Sequence, residues 1–507
     1  MAARRSGEDG VTLSALLQDF AAVPAADDRL ITGIALDSRR VRPGDLFLAC
    51  RGVARDGQEF IAAAVDKGAV AVAYEVASAE QAFDGVAVGD VPLLAVMDLR
   101  HKAGTIAERF YGEPSQALCV AGITGTNGKT SCSQFLAQAL GDDDAPWGVI
   151  GTLGNGLVNR LESGSHTTPD AVNVHRLLAD LRAAGARGVA MEVSSHALDQ
   201  GRVAGVRFTA AIFTNLSRDH LDYHGDMAAY GAAKQRLFYS PGLRYAVVNT
   251  DDAFGRELLA GIPPEVQAVS YGFEPQADAA ISHVRGYALQ PSRAGIAFRV
   301  ESPWGRGELR SQVLGRFNAS NLLAVLATLL IMGMPLDEAM QRLARVRPVK
   351  GRMECFGGDG LRPLVVVDYA HTPDALEQVL MALREHGGGR LWCVFGCGGD
   401  RDRGKRPLMG AAAARLADQV VVTDDNPRNE DPVQIITDIL EGIPDRPRVQ
   451  VIHDRDAAIA AAVRGAGADD VVLVAGKGHE TVQQIGIRKL PFRDQDSVCR
   501  HLAEARS

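Results

Sequence analysis

The stretch Val120-Ala121-Gly122-Ile123-Thr124-Gly125-Thr126-Asn127-Gly128-Lys129-Thr130-Ser131 constrains this chain more than any other. The apolar run Leu118 to Ile123 predicts a buried strand. Glycines and small polar residues follow, and Cys132 to Leu140 carries apolar residues at helical spacing. Strand, glycine-rich turn, helix is the architecture of a phosphate-binding loop. Backbone N–H groups in the turn face the anion, and the helix N-terminus adds a favourable dipole. Lys129 can reach the outer phosphates and the Thr130 hydroxyl can ligate Mg²⁺. The usual spacing G-x-x-x-x-G-K-[ST] is not met: Ile123 stands where the first glycine belongs, between Gly122 and Gly125. A nucleoside triphosphate is the expected ligand; the alternative is a strand–helix turn that binds nothing.

With 507 residues the chain has room for about three domains. Its 46% hydrophobic and 23% charged residues are the mix of soluble globular domains. A net charge of −8 provides no overall basic field for nucleic acid. The 7 cysteines are odd in number and lack a paired C-x-x-C zinc spacing, which points to a reducing cytosol rather than a disulfide framework. The N-terminal residues have no apolar signal core. The longest apolar run, Leu322 to Met334, is too short to span a bilayer and predicts a buried helix beginning after Asn318-Ala319-Ser320-Asn321.

Residues 1–113 read as a small α/β domain, with strands at Leu46 to Ala49, Ala69 to Tyr74 and Leu93 to Val96. Ser38 and Arg39, beside a turn, are either turn chemistry or an anion site. Residues 114–346 read as the central domain. Its strand Gly188 to Val193 carries Glu192 at its end. Such a carboxylate is costly to bury unless it pairs or binds metal; capping a neighbouring helix is the alternative. A further strand, Ala210 to Thr214, runs into Asn215 to Gly225, where His220 is either a ligand or structural. Lys234, on a helix predicted over Tyr230 to Tyr239, reads from its neighbours as a solvated surface lysine.

Residues 347–507 alternate strands (Leu364 to Asp368, Leu391 to Phe395, Gln419 to Thr423, Val471 to Val474) with helices such as Asp374 to Glu385 and Gly410 to Ala417. That alternation predicts a doubly wound, Rossmann-like parallel sheet. Charged and glycine-rich stretches follow its strands: Asp368 to Asp374, Gly396 to Arg406, Asp424 to Arg428 and Gly476 to Glu480. Ligands of open α/β sheets bind beyond the carboxyl ends of the strands, so these four loops predict one cleft.

Five motifs, Gly125 to Thr130, Met191-Glu-Val-Ser-Ser-His196, Thr214-Asn-Leu-Ser-Arg-Asp-His-Leu-Asp222, Asp368-Tyr-Ala-His-Thr-Pro-Asp374 and Asp425-Asn-Pro-Arg428, resemble those of the Mur ligases of peptidoglycan synthesis. The resemblance runs through all three domains in order. It implies an ATP-dependent ligase that phosphorylates a D-glutamyl γ-carboxylate and joins the acyl phosphate to an amine of meso-diaminopimelate. L-lysine is the alternative amino acid, a folylpolyglutamate-synthetase-like ligase the alternative enzyme, and a nucleotide-regulated binding protein the alternative without catalysis.

By the same resemblance, Gly125, Thr126, Asn127, Gly128, Lys129, Thr130, Ser131, Asn318, Asp368 and His371 hold ATP. Leu36, Ser38, Val53, Ala54, Arg55, His166, Thr167, Thr168, Ser194, Gln200 and Arg202 hold the UDP-muramoyl dipeptide. Arg401, Asp425, Asn426, Pro427, Arg428, Gly476 and Glu480 hold diaminopimelate. Thr130, Glu192, His220 and a carbamylated Lys234 ligate Mg²⁺, and together with Lys129 these make the catalytic set. A cytoplasmic monomer acting on small molecules is the expected form.

Overall fold

The computed structural model describes residues 10–52, 55–78, 88–164, 166–275, 281–444 and 448–504. The chain divides into two compact units, one comprising 1–284 with 327–334, the other 285–326 with 335–507.

Besides a two-stranded antiparallel ribbon, Val11–Thr12 with Leu30–Ile31, the first unit holds two larger sheets. The smaller is parallel and consecutive: Gly33–Ala35, Asp45–Ala49, Ala71–Val76 and Leu93–Met97. All five residues of Asp45–Ala49 are buried, as expected of a strand covered on both faces. Leu46 and Leu48 pack towards the helix Leu99–Phe110, while Phe47 and Ala49 pack with Ile61 and Ala64 of the helix Ile61–Asp66.

The larger sheet has a parallel core in the spatial order Trp147–Gly151, Gly188–Glu192, Cys119–Thr124, Ala210–Phe213, Tyr245–Asn249, Gln267–Gly272. From Cys119–Thr124 the chain first builds to one side and then, with Ala210–Phe213, to the other. The phosphate loop therefore lies at the point where strand order reverses, where ligands of such sheets bind.

The second unit contains an antiparallel meander, Ser282–Ser292 from its fourth residue on, Gly295–Ser302 and Gly305–Ser311, and a six-stranded sheet. That sheet runs Glu354–Gly357, Leu364–Asp368, Val471–Ala475, Leu391–Phe395, Gln419–Val422, Val449–Val451, parallel except for its first strand. Its helices include Pro373–His386, Lys405–Leu416, Pro432–Leu440, Arg455–Gly465 and Asp494–Glu504. The predicted doubly wound arrangement is present.

Three helix boundaries differ from expectation. The buried apolar helix is Arg316–Ile331 and so includes Asn318 to Asn321. Those asparagines do not cap it. Asn318 Nδ2 donates to the Leu314 carbonyl at 2.9 Å and Asn321 Nδ2 to Asn318 Oδ1 at 3.0 Å, which satisfies buried amides inside the first turns. The helix expected from Gly410 starts at Lys405. Pro407 falls in its first turn, where a missing N–H costs nothing. The helix expected over Tyr230 to Tyr239 is regular over Met227–Gln235 and tightens to a 3₁₀ turn over Arg236–Tyr239.

Candidate active site

The phosphate loop is built against the loop after Ala210–Phe213. Thr126 N donates to the Asn215 carbonyl at 2.8 Å, Asn127 N to Asn215 Oδ1 at 2.9 Å, and Thr214 Oγ1 to the Asn127 carbonyl at 2.6 Å. Two glycines have backbone angles that side chains resist: Gly125 at φ +149° and Gly128 at φ +87°. A Cβ on Gly125 would lie 1.9 Å from Thr214 Oγ1. Lys129 opens the helix Lys129–Leu140, and its Nζ donates to the carbonyls of Gly125 and Thr126, both at 2.8 Å.

Glu192 ends a fully buried strand and is 1% exposed. Its Oε2 accepts from Thr130 Oγ1 at 2.9 Å and Thr152 Oγ1 at 3.0 Å, and its Oε1 from Thr152 N at 2.8 Å. The carboxylate is therefore surrounded by hydroxyls and an amide, and it does not cap a neighbouring helix. Thr168 is buried, donates to the Glu192 carbonyl at 2.8 Å and accepts from Ser194 N at 3.1 Å. Thr167 Oγ1 lies 3.1 Å from Thr152 Oγ1. Arg202 donates to the Thr168 carbonyl at 3.0 Å and to Gln200 Oε1 at 2.7 Å. His166 is exposed. Thr167, Thr168, Ser194, Gln200 and Arg202 thus belong to one hydrogen-bonded neighbourhood around the end of the Glu192 strand.

Lys234 overturns the expectation of a surface lysine. It is 1% exposed, donates to the Gly125 carbonyl at 2.9 Å, and lies 4.2 Å from the centre of the Tyr230 ring. Burial, then the charge of Lys129, push its pKa well below the usual lysine value. His220 is half-exposed with a left-handed backbone (φ +53°), and its Nε2 lies 3.4 Å from Asp219 Oδ2. Its ring sits edge-on to His196, 4.8 Å between centres. Burial and the neighbouring His220 and His224 lower the His196 pKa to about 4. Among the described residues, no cluster of three or more His, Cys, Asp or Glu is arranged to hold a metal ion.

On the small sheet, Leu36 is half-buried and Ser38 is buried at the start of a 3₁₀ turn, where Asp37 accepts from Arg39 N at 2.9 Å. The Asp37–Arg39 ion pair is 2.8 Å long, so Arg39 makes turn contacts within its own loop. Arg55 is exposed, its guanidinium 6.0 Å from the centre of the Phe60 ring. Val53 and Ala54 lie outside the described residues.

In the second unit the four predicted strand-end loops converge. Gly476 N donates to the Asp368 carbonyl at 3.1 Å and Gly399 N to the Asn426 carbonyl at 2.9 Å. Lys405 Nζ donates to the His371 carbonyl at 2.8 Å, and Arg428 Nη1 to the Gly399 carbonyl at 2.7 Å. Gly476 has φ +112°, and a Cβ there would sit 2.6 Å from Asp425 Oδ2. Asp425, Asn426 and Pro427 are buried, and burial raises the Asp425 pKa. Arg428 pairs with neither Asp424, which binds His453, nor Glu430, which binds Arg403 and Arg406. The strand end Ala475 is fixed by Arg455, which donates to its carbonyl at 2.9 Å and pairs twice with fully buried Asp494.

Asp368 engages both carboxylate oxygens with backbone amides, Met353 N at 2.8 Å and Ala370 N at 2.7 Å. His371 is exposed, its ring 4.6 Å from that of Tyr369. Asn318 is buried and Arg401 exposed.

Two residues at these sites escaped the reading of the sequence. Thr152 supplies two of the hydrogen bonds to Glu192, and only the sheet brings the two together. Lys477 is fully buried between the Asp425 to Arg428 loop and Glu480. Its available signal was a lysine between two glycines directly after an all-apolar strand.

Three family models match the chain in order: "Mur ligase family, catalytic domain" over residues 30–111, "Mur ligase middle domain" over 123–329, and "Mur ligase, glutamate ligase domain" over 351–478. A protein of Alkalilimnicola ehrlichii named UDP-N-acetylmuramoyl-L-alanyl-D-glutamate--2,6-diaminopimelate ligase is 52% identical, the match covering 97% of this chain and 99% of that one. A solved structure of a ligase of that name is 36% identical, with a TM-score of 0.72 over 98% of this chain and 100% of the other. Folylpolyglutamate synthase of Mycobacterium tuberculosis, solved with ADP and AMPPCP, is 19% identical. It has a TM-score of 0.60 and covers 74% of this chain and 92% of its own, a likeness of fold. With near-full-length relatives of this kind and its phosphate loop at the sheet's switch point, the chain belongs to the Mur ligase family.

Proposed function

We propose that this chain adds meso-2,6-diaminopimelate to the D-glutamyl γ-carboxylate of UDP-N-acetylmuramoyl-L-alanyl-D-glutamate, forming ADP and phosphate, in peptidoglycan synthesis. What carries the reading is the 52% identity, over nearly the whole chain, to a relative bearing that name. The folylpolyglutamate likeness leaves about a quarter of the chain unmatched. The acting form is a cytoplasmic monomer whose domains, 1–113, 114–346 and 347–507, bind the UDP substrate, ATP and the amino acid respectively.

In the first step a γ-carboxylate oxygen attacks the terminal phosphorus of ATP and the bond to ADP breaks. In the second the amine nitrogen attacks the acyl carbon, loses a proton, and phosphate leaves. Both steps bring anionic groups together, so fixed positive charge and N–H dipoles lower the barrier. Lys129 is held at the helix start by two loop carbonyls, close to where a terminal phosphate would sit. Gly125, Thr126, Asn127, Gly128 and Ser131 shape the anion cradle, with Asn318, Asp368 and His371 assigned to the nucleotide.

The Thr130 hydroxyl against the Glu192 carboxylate is a hard oxygen pair, the donor chemistry Mg²⁺ prefers. Those two groups, His220 and a carbamate on Lys234 would hold the ion. Mg²⁺, when bound, supplies charge neutralisation at the phosphates. The buried, desolvated Lys234 amine is disposed to the neutral form, which is the form that adds CO₂. The loop neighbourhood of Thr167, Thr168, Ser194, Gln200 and Arg202, with His166, Leu36, Ser38, Val53, Ala54 and Arg55, serves the UDP-muramoyl dipeptide. Arg401, Asp425, Asn426, Pro427, Arg428, Gly476 and Glu480 serve diaminopimelate.

The test is an amino-acid panel with the UDP-muramoyl dipeptide and ATP, scored for ADP. ADP release with meso-diaminopimelate and not with L-lysine is expected. Release with L-lysine instead would make this the lysine-adding member, and release with neither would refute the ligase reading.

A further inference from the structure

The Lys477 ammonium is fully buried, yet the chemistry above gives it no role. A solvated lysine extends its head to water, and burying an ammonium is costly unless its donors and charge are matched. Here they are matched by acceptors from two segments, the Asp425 to Arg428 loop and residues 480–482 just beyond Lys477 itself. Lys477 Nζ donates to Asn426 Oδ1 at 3.1 Å, to Glu480 Oε2 at 3.0 Å and to the Val482 carbonyl at 2.7 Å. An ammonium has three donors, so none remains for a ligand.

The acceptors are themselves fixed by these contacts. Asn426 Oδ1 also accepts from Gln484 N at 2.9 Å, which orients the amide, and Asn426 Nδ2 then donates to Glu480 Oε2 at 2.8 Å. Both contacts to Glu480 fall on the same oxygen. Among the described residues no hydrogen bond engages Oε1, and the side chain remains 30% exposed.

We propose that Lys477 is a positioning residue for the incoming amino acid: it pins Glu480 through Oε2 and orients Asn426, leaving Glu480 Oε1 to accept the substrate's ammonium. This rests on reading these loops as the amino-acid site. Lys477 touches no substrate; it acts through the geometry of Glu480. The carboxylate it holds is already ion-paired before the ligand arrives, so selectivity comes from placement more than from net charge.

The test uses the full chain and the separate Michaelis constants for meso-diaminopimelate and ATP in wild type, Lys477→Met, Lys477→Arg, Glu480→Gln and the Lys477→Met/Glu480→Gln double variant. Circular dichroism checks folding. Lys477→Met should raise the diaminopimelate constant by about tenfold or more, since the site loses a placed polar partner, with the ATP constant within about twofold. In the Glu480→Gln background the same change should add little, as for residues acting as a unit. Lys477→Arg keeps the charge without the three-way geometry; it should raise the diaminopimelate constant selectively and stands in if the methionine variant does not fold. Unchanged diaminopimelate constants in the folded Lys477 variants, alongside a raised one in Glu480→Gln, would overturn the inference alone. So would parallel rises for ATP and diaminopimelate. An unchanged constant in Glu480→Gln would overturn the amino-acid-site reading itself, and the inference with it.

Discussion

Gly125→Ala is the sharpest probe of the phosphate loop. At φ +149° an alanine occupies a region that costs about 1–3 kcal/mol. Its Cβ would also stand 1.9 Å from Thr214 Oγ1, which must swing away from the Asn127 carbonyl and give up a 2.6 Å hydrogen bond. That loss adds about 1 kcal/mol. The expected destabilisation of the first unit is therefore about 2–4 kcal/mol. The functional effect should be larger still, because the Gly125 carbonyl accepts from both Lys129 and Lys234, and displacing it moves both ammonium groups.

The second half of the test is a cycle with Thr214→Ala. Alone, that variant should cost about 1 kcal/mol for the same hydrogen bond. In the Gly125→Ala background it removes the clashing atom and a bond already broken, so the double variant should be no less stable than Gly125→Ala alone. With Trp304 and Trp392 replaced by Phe, Trp147 is the remaining tryptophan and reports urea unfolding of the first unit; ADP release reports activity. Wild-type stability and turnover in Gly125→Ala, or strict additivity in the cycle, would refute the reasoning.

Three further outcomes are expected. Lys234→Ala should lose most ADP release, with partial recovery on adding short carboxylates that fill the vacated site; full activity without them would contradict a role for a carbamate there. Arg428→Ala should raise the Michaelis constant for diaminopimelate steeply and leave that for ATP unchanged, since a guanidinium can grip a carboxylate bidentately; equal shifts for both substrates would count against Arg428 as a carboxylate clamp. His175 is fully buried, with Nε2 2.9 Å from the Ala204 carbonyl and no partner at Nδ1, and burial lowers its pKa to about 4. Its folded pKa lies below the unfolded value, so stability is complete above about pH 6.5 and falls by up to about 3 kcal/mol as pH drops towards 4. Urea titrations of His175→Gln should show a pH slope shallower by one proton over that window, and an identical slope would refute the assignment.

The strand-end loops were legible in the sequence because their strands are apolar throughout. Gly188–Glu192, Leu364–Asp368 and Val471–Ala475 are buried at every position. A charged residue closing such a run has to be paired, ligated or bonded to backbone, which is why Glu192 and Asp368 stood out. Their partners did not, since Thr152 is 40 residues from Glu192 and meets it across the sheet. Helix starts were less legible. The asparagines at 318 and 321 look like caps by residue type, and only the fold makes them interior hydrogen-bonding groups, Asn318 on the Leu314 carbonyl and Asn321 on Asn318 Oδ1.

The two buried lysines mark where local reading ends. Lys234 sits on a helix whose pattern gives no reason to bury it; the cause is Gly125, 109 residues earlier in the chain, and the Tyr230 ring one turn back. Lys477 carries more local information. It follows five buried apolar residues and stands between glycines at φ +112° and +50°. A backbone that has just left a buried strand and turns sharply on both sides leaves the lysine stem directed inward. Its charge then has to find oxygen acceptors nearby, and Asn426, Glu480 and Val482 supply them. In both cases the ammonium is buried beside a loop rich in backbone carbonyls or carboxylates. A glycine-flanked lysine at the end of an apolar strand is therefore better read as an internal strut for the adjacent loop than as a surface charge.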